Sequence, residues 1–471
     1  MVFSSVEFLT LFLPLAALLY FLLPVKMRNG LLLVFSLVFY AWGEPVYVLI
    51  MLGSIVMNYL FGLGVDRFRA REKAKKTVLA LAVACNLLLL GVFKYADFMI
   101  GNLNLIPGVS LPAAEIALPI GISFFTFQAM SYVIDVYRTA APAQKNILNF
   151  GLYISLFPQL IAGPIVRYST VADQIVARRT DLDLAAKGIR RFIVGLAKKV
   201  LIANNVGFLW SQISVAEAPC AADAWLGAIA FAFQIYFDFS GYSDMAIGLG
   251  HIFGFRFLEN FDYPYISRSV TEFWRRWHIS LGTWFREYVY IPLGGNRKGV
   301  AKQVRNILIV WLLTGLWHGA SWNFVLWGLY YGVMLLAEKF ILKKLLDRAP
   351  AFVGHIYTLL IVLFGWVLFA FDDTKALFAY FAAMFGTNGG FGAETAYLLS
   401  SNALTLLIAA IASLPLGAKL AGRLFARAGK SRRGGRIAFR AAELGWYLLL
   451  FLLSVAYLVD STYNPFIYFR F

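Results

Sequence analysis

The chain has 471 residues, 61% of them apolar and only 14% charged, with a mean hydropathy of +0.72. Soluble domains run near half apolar and a quarter charged, so a soluble globular protein is excluded and lipid must solvate much of the surface. The formal net charge of +17 would suggest nucleic acid on a soluble protein. Here the basic residues fall in short loops between apolar runs, where orientation signals belong. No nucleic-acid partner is expected.

Lipid-facing backbone must be satisfied internally, so membrane spans are helices or a closed barrel. The apolar runs are continuous and about 20 residues long rather than alternating, which selects helices. The expected fold class is an all-α polytopic membrane protein, a single domain over 1–471 with roughly 11–13 membrane helices. Spans are predicted at 6–24, 29–43, 45–65, 77–96, 116–137, 186–210, 224–250, 305–320, 322–345, 352–371, 376–386, 401–422 and 441–460. The first, from Val6 to Leu23, lacks a preceding basic stretch and a small-residue cleavage site, so it reads as a span rather than a leader. The segment 147–165 carries Pro158 and Gly163-Pro164, which break helices, and is expected to enter the membrane and turn back. No internal repeat is visible, which weighs against the inverted-repeat transporter plan.

The loops sort by charge. Arg67 to Lys76 holds six basic residues and Arg423 to Arg440 holds seven, whereas 97–115 and 211–223 hold none. Basic loops are retained on the cytoplasmic side. Both termini, including 461–471, are therefore expected at the outer face. The segment 251–305 lies on the basic side and is the expected cytoplasmic active-site segment.

Within it, Glu272 to Tyr288 (EFWRRWHISLGTWFREY) reads as one amphipathic interfacial helix. Trp274, Trp277, Leu281, Trp284, Phe285 and Tyr288 share one face, with Arg275, Arg276, Ser280, Thr283, Arg286 and Glu287 opposite. His278 sits at the border. A snorkelling histidine on an ordinary interfacial helix would look the same. His318, within LLTGLWHGASWNFVLWG, lies at membrane depth beside Trp317 and Asn323. An ionisable residue there is costly and marks a functional site by default. Desolvation keeps a buried imidazole neutral and able to act as a base, although a histidine hydrogen-bonded between helices is an equally open reading. Gly315, Gly319 and Ala320 would let another backbone approach.

Asp238, Ser240, Tyr242, Ser243 and Asp244 place polar groups in an apolar span, either lining a tunnel or paired with arginines such as Arg167 or Arg276. Gln128 and Asp135 read the same way. The turn around Arg297 and Lys298 is basic and could meet phosphates. The end, YNPFIYFRF at 463–471, is aromatic, as interfacial belts are. Cys85 and Cys220 form no CxxC or metal-ligand spacing, so no metal is expected.

Five blocks carry a resemblance: LPIGISFFTFQAMSYVIDVYR at 118–138, FPQLIAGPIVRY at 157–168, FDFSGYSDMAIG at 237–248, FWRRWHISLGTWFREYVYIPLGG at 273–295 and WHGASWNFVLWG at 317–328. Together they resemble the membrane-bound O-acyltransferase (MBOAT) family, in its bacterial alginate O-acetyltransferase branch. The resemblance covers nearly the whole chain. It implies a helical fold around a central tunnel, with His318 the catalytic histidine and His278 the second active-site histidine. It also implies a coenzyme A thioester as substrate, no bound cofactor, and a periplasmic partner that acetylates a polysaccharide. The carboxyl-terminal motif is similar to the tyrosine motif of a small membrane partner in teichoic-acid D-alanylation, which suggests Tyr468 as an acyl carrier.

The mechanism this implies brings acetyl-coenzyme A from the cytoplasm, its adenosine and phosphates near the basic 268–305 region, with Asp238, Ser240, Tyr242, Asp244, Trp274, Arg275, Arg276, Trp277, Trp317, Asn323, Arg297 and Lys298 as candidates for lining the tunnel or binding the donor. His318 would deprotonate the acceptor hydroxyl, and His278 would orient the donor or stabilise the oxyanion. The alternatives are a carrier-fed D-alanyl or other acyl transferase, a transporter or flippase of a lipid-linked saccharide, and a non-catalytic scaffold.

Overall fold

The computed structural model describes residues 1–161, 163–429, 433–460 and Ile467. No strand occurs among the described residues. Eight described helices are long and apolar enough to cross a membrane: Val25–Gly43, Val48–Arg67, Glu72–Leu103, Leu182–Ser214, Trp322–Arg348, Ala351–Ala370, Ala393–Ala412 and Gly434–Asp460. The protein is a multi-pass, all-helical membrane protein.

Several expected spans differ, each for a local reason. Residues 109–119 are non-helical, and α2 (Ile122–Tyr137) starts only after Gly121, whose φ is +77°. All but two residues of α2 are buried, so it lies in the interior rather than against lipid. The expected span 401–422 is cut by Pro415: one helix is Ala393–Ala412, and a separate one runs Leu416–Gly429. Thr374–Met384 is a helix of 11 residues, too short to cross.

The segment 147–165 breaks at Leu156 into Ile147–Ser155 and Phe157–Leu160. Its described residues are mostly buried, and its freed backbone groups find partners inside. The Tyr153 hydroxyl donates to the Val166 carbonyl, and the Gln159 amide donates to the Tyr153 carbonyl. Irregular backbone at membrane depth requires that protection.

The centre of the molecule is α4 (Ala221–Ile252), 32 residues long and buried along most of its length. It crosses α3 (Leu182–Ala197) antiparallel, with backbones in contact. A Cβ placed at Gly188 would lie 2.4 Å from the Gly248 carbonyl oxygen, and one at Gly195 would lie 2.5 Å from that of Gly241. Only glycine fits such an approach. The seam brings the carboxylates of α4 against the lysines that follow α3. Asp238 pairs with Lys199 at 2.6 Å, and Asp244 pairs with Lys198 at 2.7 Å and Arg191 at 2.8 Å. The expected partners Arg167 and Arg276 are thus replaced by residues of the neighbouring helix.

The region Glu272–Tyr288 is not one helix. It is α5 (Val270–Arg276) and α6 (Ile279–Phe285), separated at Trp277 and His278, where φ of His278 is +45°. The segment 260–262 takes over the backbone bonds. The Asp262 amide donates to Arg276, and the Ile279 amide donates to Asn260. The helix α7 (Val300–His318) then packs on α8 (Trp322–Ala337), where a Cβ at Gly315 would meet the Phe324 carbonyl oxygen at 2.2 Å. A cavity of about 320 Å³ opens at the amino terminus, lined by Met1, Ser5, Tyr40, Glu44 and Ile120; neither His278 nor His318 borders it.

Candidate active site

The aromatic side chains of α5 turn inward to protein. Trp274 meets the rings of Trp311, Trp327 and Tyr331, and Trp277 packs on Trp366 and stacks on Phe273. The α6 face docks on α2: Trp284 stacks on Phe127 at 3.8 Å and donates to its carbonyl, and the Tyr288 hydroxyl donates to Asp135. Of the opposite face, Arg275 and Arg286 are exposed. Arg276 is held by Glu272 and Asp262.

His278 and His318 come together around one indole. The His278 ring lies 5.9 Å and the His318 ring 5.0 Å from Trp317. Both imidazoles are buried, at 2% and 4% exposure. Edge contacts enclose them: Phe239 against His278, and Trp327 and Phe369 against His318. Asn323 lies behind, donating to the Phe369 carbonyl.

The proton on His278 can be placed. Nδ1 lies 3.2 Å from the Asn260 side-chain oxygen, which also accepts from the Ser280 amide and hydroxyl. A backbone N–H only donates, so the Asn260 atom at the junction is oxygen. Two lone pairs cannot face each other at 3.2 Å; Nδ1 therefore carries the proton and Nε2 the lone pair. In that tautomer neutral His278 presents Nε2 as an acceptor. Its left-handed backbone costs roughly 1–3 kcal/mol, a strain that clusters at functional sites.

Polar atoms without partners lie in the same aromatic cluster. Among the described residues Trp317 Nε1, Trp327 Nε1 and the Tyr331 hydroxyl are buried without a hydrogen-bond partner. Such groups are costly unless a ligand or water meets them.

The other expected residues divide. Asp238 is buried and accepts from the amide of Ile467 at 2.9 Å, as well as pairing with Lys199. Tyr242 is buried and stacks on Phe3 at 4.6 Å. Ser240 is buried nearby on α4. Asp244 belongs to an ion-pair network with Arg191, Lys198 and Glu259. Arg297 and Lys298 are exposed at the turn before α7. Tyr468 lies outside the described residues. Asn260 was not among the expected site residues; its only signal was a polar residue in the aromatic run before Asp262.

The described structure is a multi-pass helical membrane protein with two buried histidines about one indole. Its sequence matches MBOAT, the membrane-bound O-acyltransferase family, over residues 122–380, and the chain belongs to that family. It is 42% identical to the probable alginate O-acetylase AlgI of Azotobacter vinelandii, across all of both chains. It is 35% identical to the peptidoglycan O-acetyltransferase of Helicobacter pylori, covering 83% of this chain and 80% of that one. It is 29% identical to the teichoic acid D-alanyltransferase of Bacillus subtilis, covering 53% and 68% respectively. The protein is a membrane-bound O-acyltransferase.

Proposed function

We propose that the protein takes acetyl from cytoplasmic acetyl-coenzyme A and passes it across a bacterial inner membrane for O-acetylation of an extracytoplasmic polysaccharide. The observation that carries this is the pair of buried histidines flanking Trp317, with the indoles of Trp317 and Trp327, whose N–H groups lack partners, against the His318 ring. The full-length relatives named as O-acetylases favour acetyl over D-alanyl, whose named relative matches about half the chain. The alginate name among them points to an exopolysaccharide.

In this reading the exposed Arg275, Arg286, Arg297 and Lys298 meet the coenzyme A phosphates on the cytoplasmic side. His318 takes the proton of the acceptor hydroxyl as its oxygen adds to the thioester carbonyl. The tetrahedral intermediate collapses, the C–S bond breaks, and the proton returns to the departing thiolate. The indole N–H groups of Trp317 and Trp327 suit the oxyanion, and His278 Nε2 orients an incoming hydroxyl or a pantetheine amide by accepting from it. A mid-depth site lets the acyl group cross while coenzyme A stays inside.

The acceptor is Tyr468, a partner enzyme's hydroxyl, or the polymer itself. What supports Tyr468 is its chain neighbour: Ile467 is buried at 8% exposure and its amide is held by Asp238. A phenol with pKa near 10 leaves more readily than a sugar alkoxide, so an acyl-tyrosine stays reactive. A periplasmic partner would then complete the transfer.

The test reconstitutes the protein in liposomes with acetyl-coenzyme A and follows release of free thiol. Wild type should release it and His318→Ala should not. Mass spectrometry of the carboxyl-terminal peptide reports on Tyr468. Release that survives His318→Ala would remove the histidine from the chemistry. No release with acetyl-coenzyme A, carrier-bound donors or added partner would turn the reading toward transport.

A further inference from the structure

The end of α7 is capped by another helix. A helix leaves its last four carbonyls without intrahelical partners, and here these belong to Gly315, Leu316, Trp317 and His318. The Gly315 carbonyl accepts from the Gly319 amide. The other three accept from two consecutive side chains. The Tyr95 hydroxyl donates to the Leu316 carbonyl at 2.5 Å, and Lys94 Nζ donates to Trp317 at 2.5 Å and to His318 at 3.1 Å. Every carbonyl of that terminus is thereby satisfied.

Lys94 and Tyr95 stand on a π-helical turn, Gly91–Tyr95, which interrupts the span after α1 (Glu72–Leu90). Such turns recur at functional sites because they redirect adjacent side chains. Lys94 is 8% exposed, and its partners are the two carbonyls and the Ser123 hydroxyl at 3.3 Å, all of them dipoles rather than carboxylates. An ammonium buried in this way is costly. It is favoured here by the negative end of the α7 dipole. The residue at that end is His318.

We propose that Lys94, assisted by Tyr95, is a positioning residue for acyl transfer: its ammonium locks the last turn of α7 and so fixes the imidazole of His318 against its substrate. This rests on the catalytic reading of His318. The Trp317 backbone is held by the same ammonium, so the indole shared by both histidines is fixed with it.

The experiment compares Lys94→Met, Lys94→Arg and Tyr95→Phe in liposomes, with thiol release measured against acetyl-coenzyme A concentration. A misplaced base costs turnover, not donor binding. Lys94→Met should therefore lower kcat roughly 10- to 100-fold, with KM for the donor within about twofold. Lys94→Arg keeps the charged donors and should recover a substantial part of kcat. Wild-type kcat in Lys94→Met overturns the proposal, as does a kcat loss that Lys94→Arg does not relieve. If Lys94→Met fails to fold, Tyr95→Phe decides, since it removes one hydroxyl; an unchanged kcat overturns it. If wild type itself releases no thiol with acetyl-coenzyme A, carrier-bound donors or added partner, the transferase reading has failed instead. Positioning is then read from the rate at which diethyl pyrocarbonate modifies His318: a changed rate in Tyr95→Phe supports it, and an unchanged rate overturns it.

Discussion

The Lys199 ammonium lies 2.6 Å from the Asp238 carboxylate, with the two side chains 3% and 2% exposed. Removing one partner of such a pair leaves a buried charge without compensation, which costs roughly 3–5 kcal/mol. Lys199→Met should lower the melting temperature in detergent sharply. Adding Asp238→Asn to it should restore much of the loss, since the stranded charge is gone. A Lys199→Met protein as stable as wild type would contradict this.

Turnover should collapse when the proposed base is removed. His318→Ala is expected to lose about 10²–10⁴-fold in kcat while eluting as a folded protein by size-exclusion chromatography.

Asn260 gives a subtler test, because it holds the proton of His278 in place. Asn260→Ala should cut kcat by about tenfold or more, while Asn260→Asp, which keeps the accepting oxygen, should stay within about threefold of wild type. Equal losses in both would show that the Nδ1 bond is not what matters.

The rim is predicted to act on binding alone. Arg297→Ala combined with Lys298→Ala should raise KM for acetyl-coenzyme A with kcat unchanged. The defect should shrink at high salt, where exposed charges are screened over a few ångströms. Initial rates at two ionic strengths measure it.

At the seam between α3 and α4, Gly195→Val would force backbones apart. A destabilisation of about 1–3 kcal/mol or more is expected, read as a lower melting temperature, whereas Gly53→Ala, where an added Cβ meets nothing within 4 Å, should be neutral.

Much of the helical plan was legible because continuous apolar runs and prolines are local signals. The break at His278 was not. Trp274, Trp277, Leu281 and Trp284 recur at helical spacing across it, and what interrupts the helix is a pair of backbone bonds from residues 260–262, distant in the pattern. The partner of Asp238 was hidden for the same reason, since Lys199 reaches it only through the glycine seam. Lys94 was readable in principle. It is an ionisable residue inside GVFKY, an otherwise apolar run, and that alone marks a site. The loop-charge reading passed over it because it sits within a span.

The touching backbones of α3 and α4 have a mechanical consequence. Two helices joined at Gly188 with Gly248 and at Gly195 with Gly241 have no clearance to roll or slide past one another without first separating. They act as a stator that holds the carboxylates of α4 against the lysines that follow α3. In the proposed reaction such a post would not rock with its cargo: a thioester and an acceptor would travel to the histidines while the scaffold holds still.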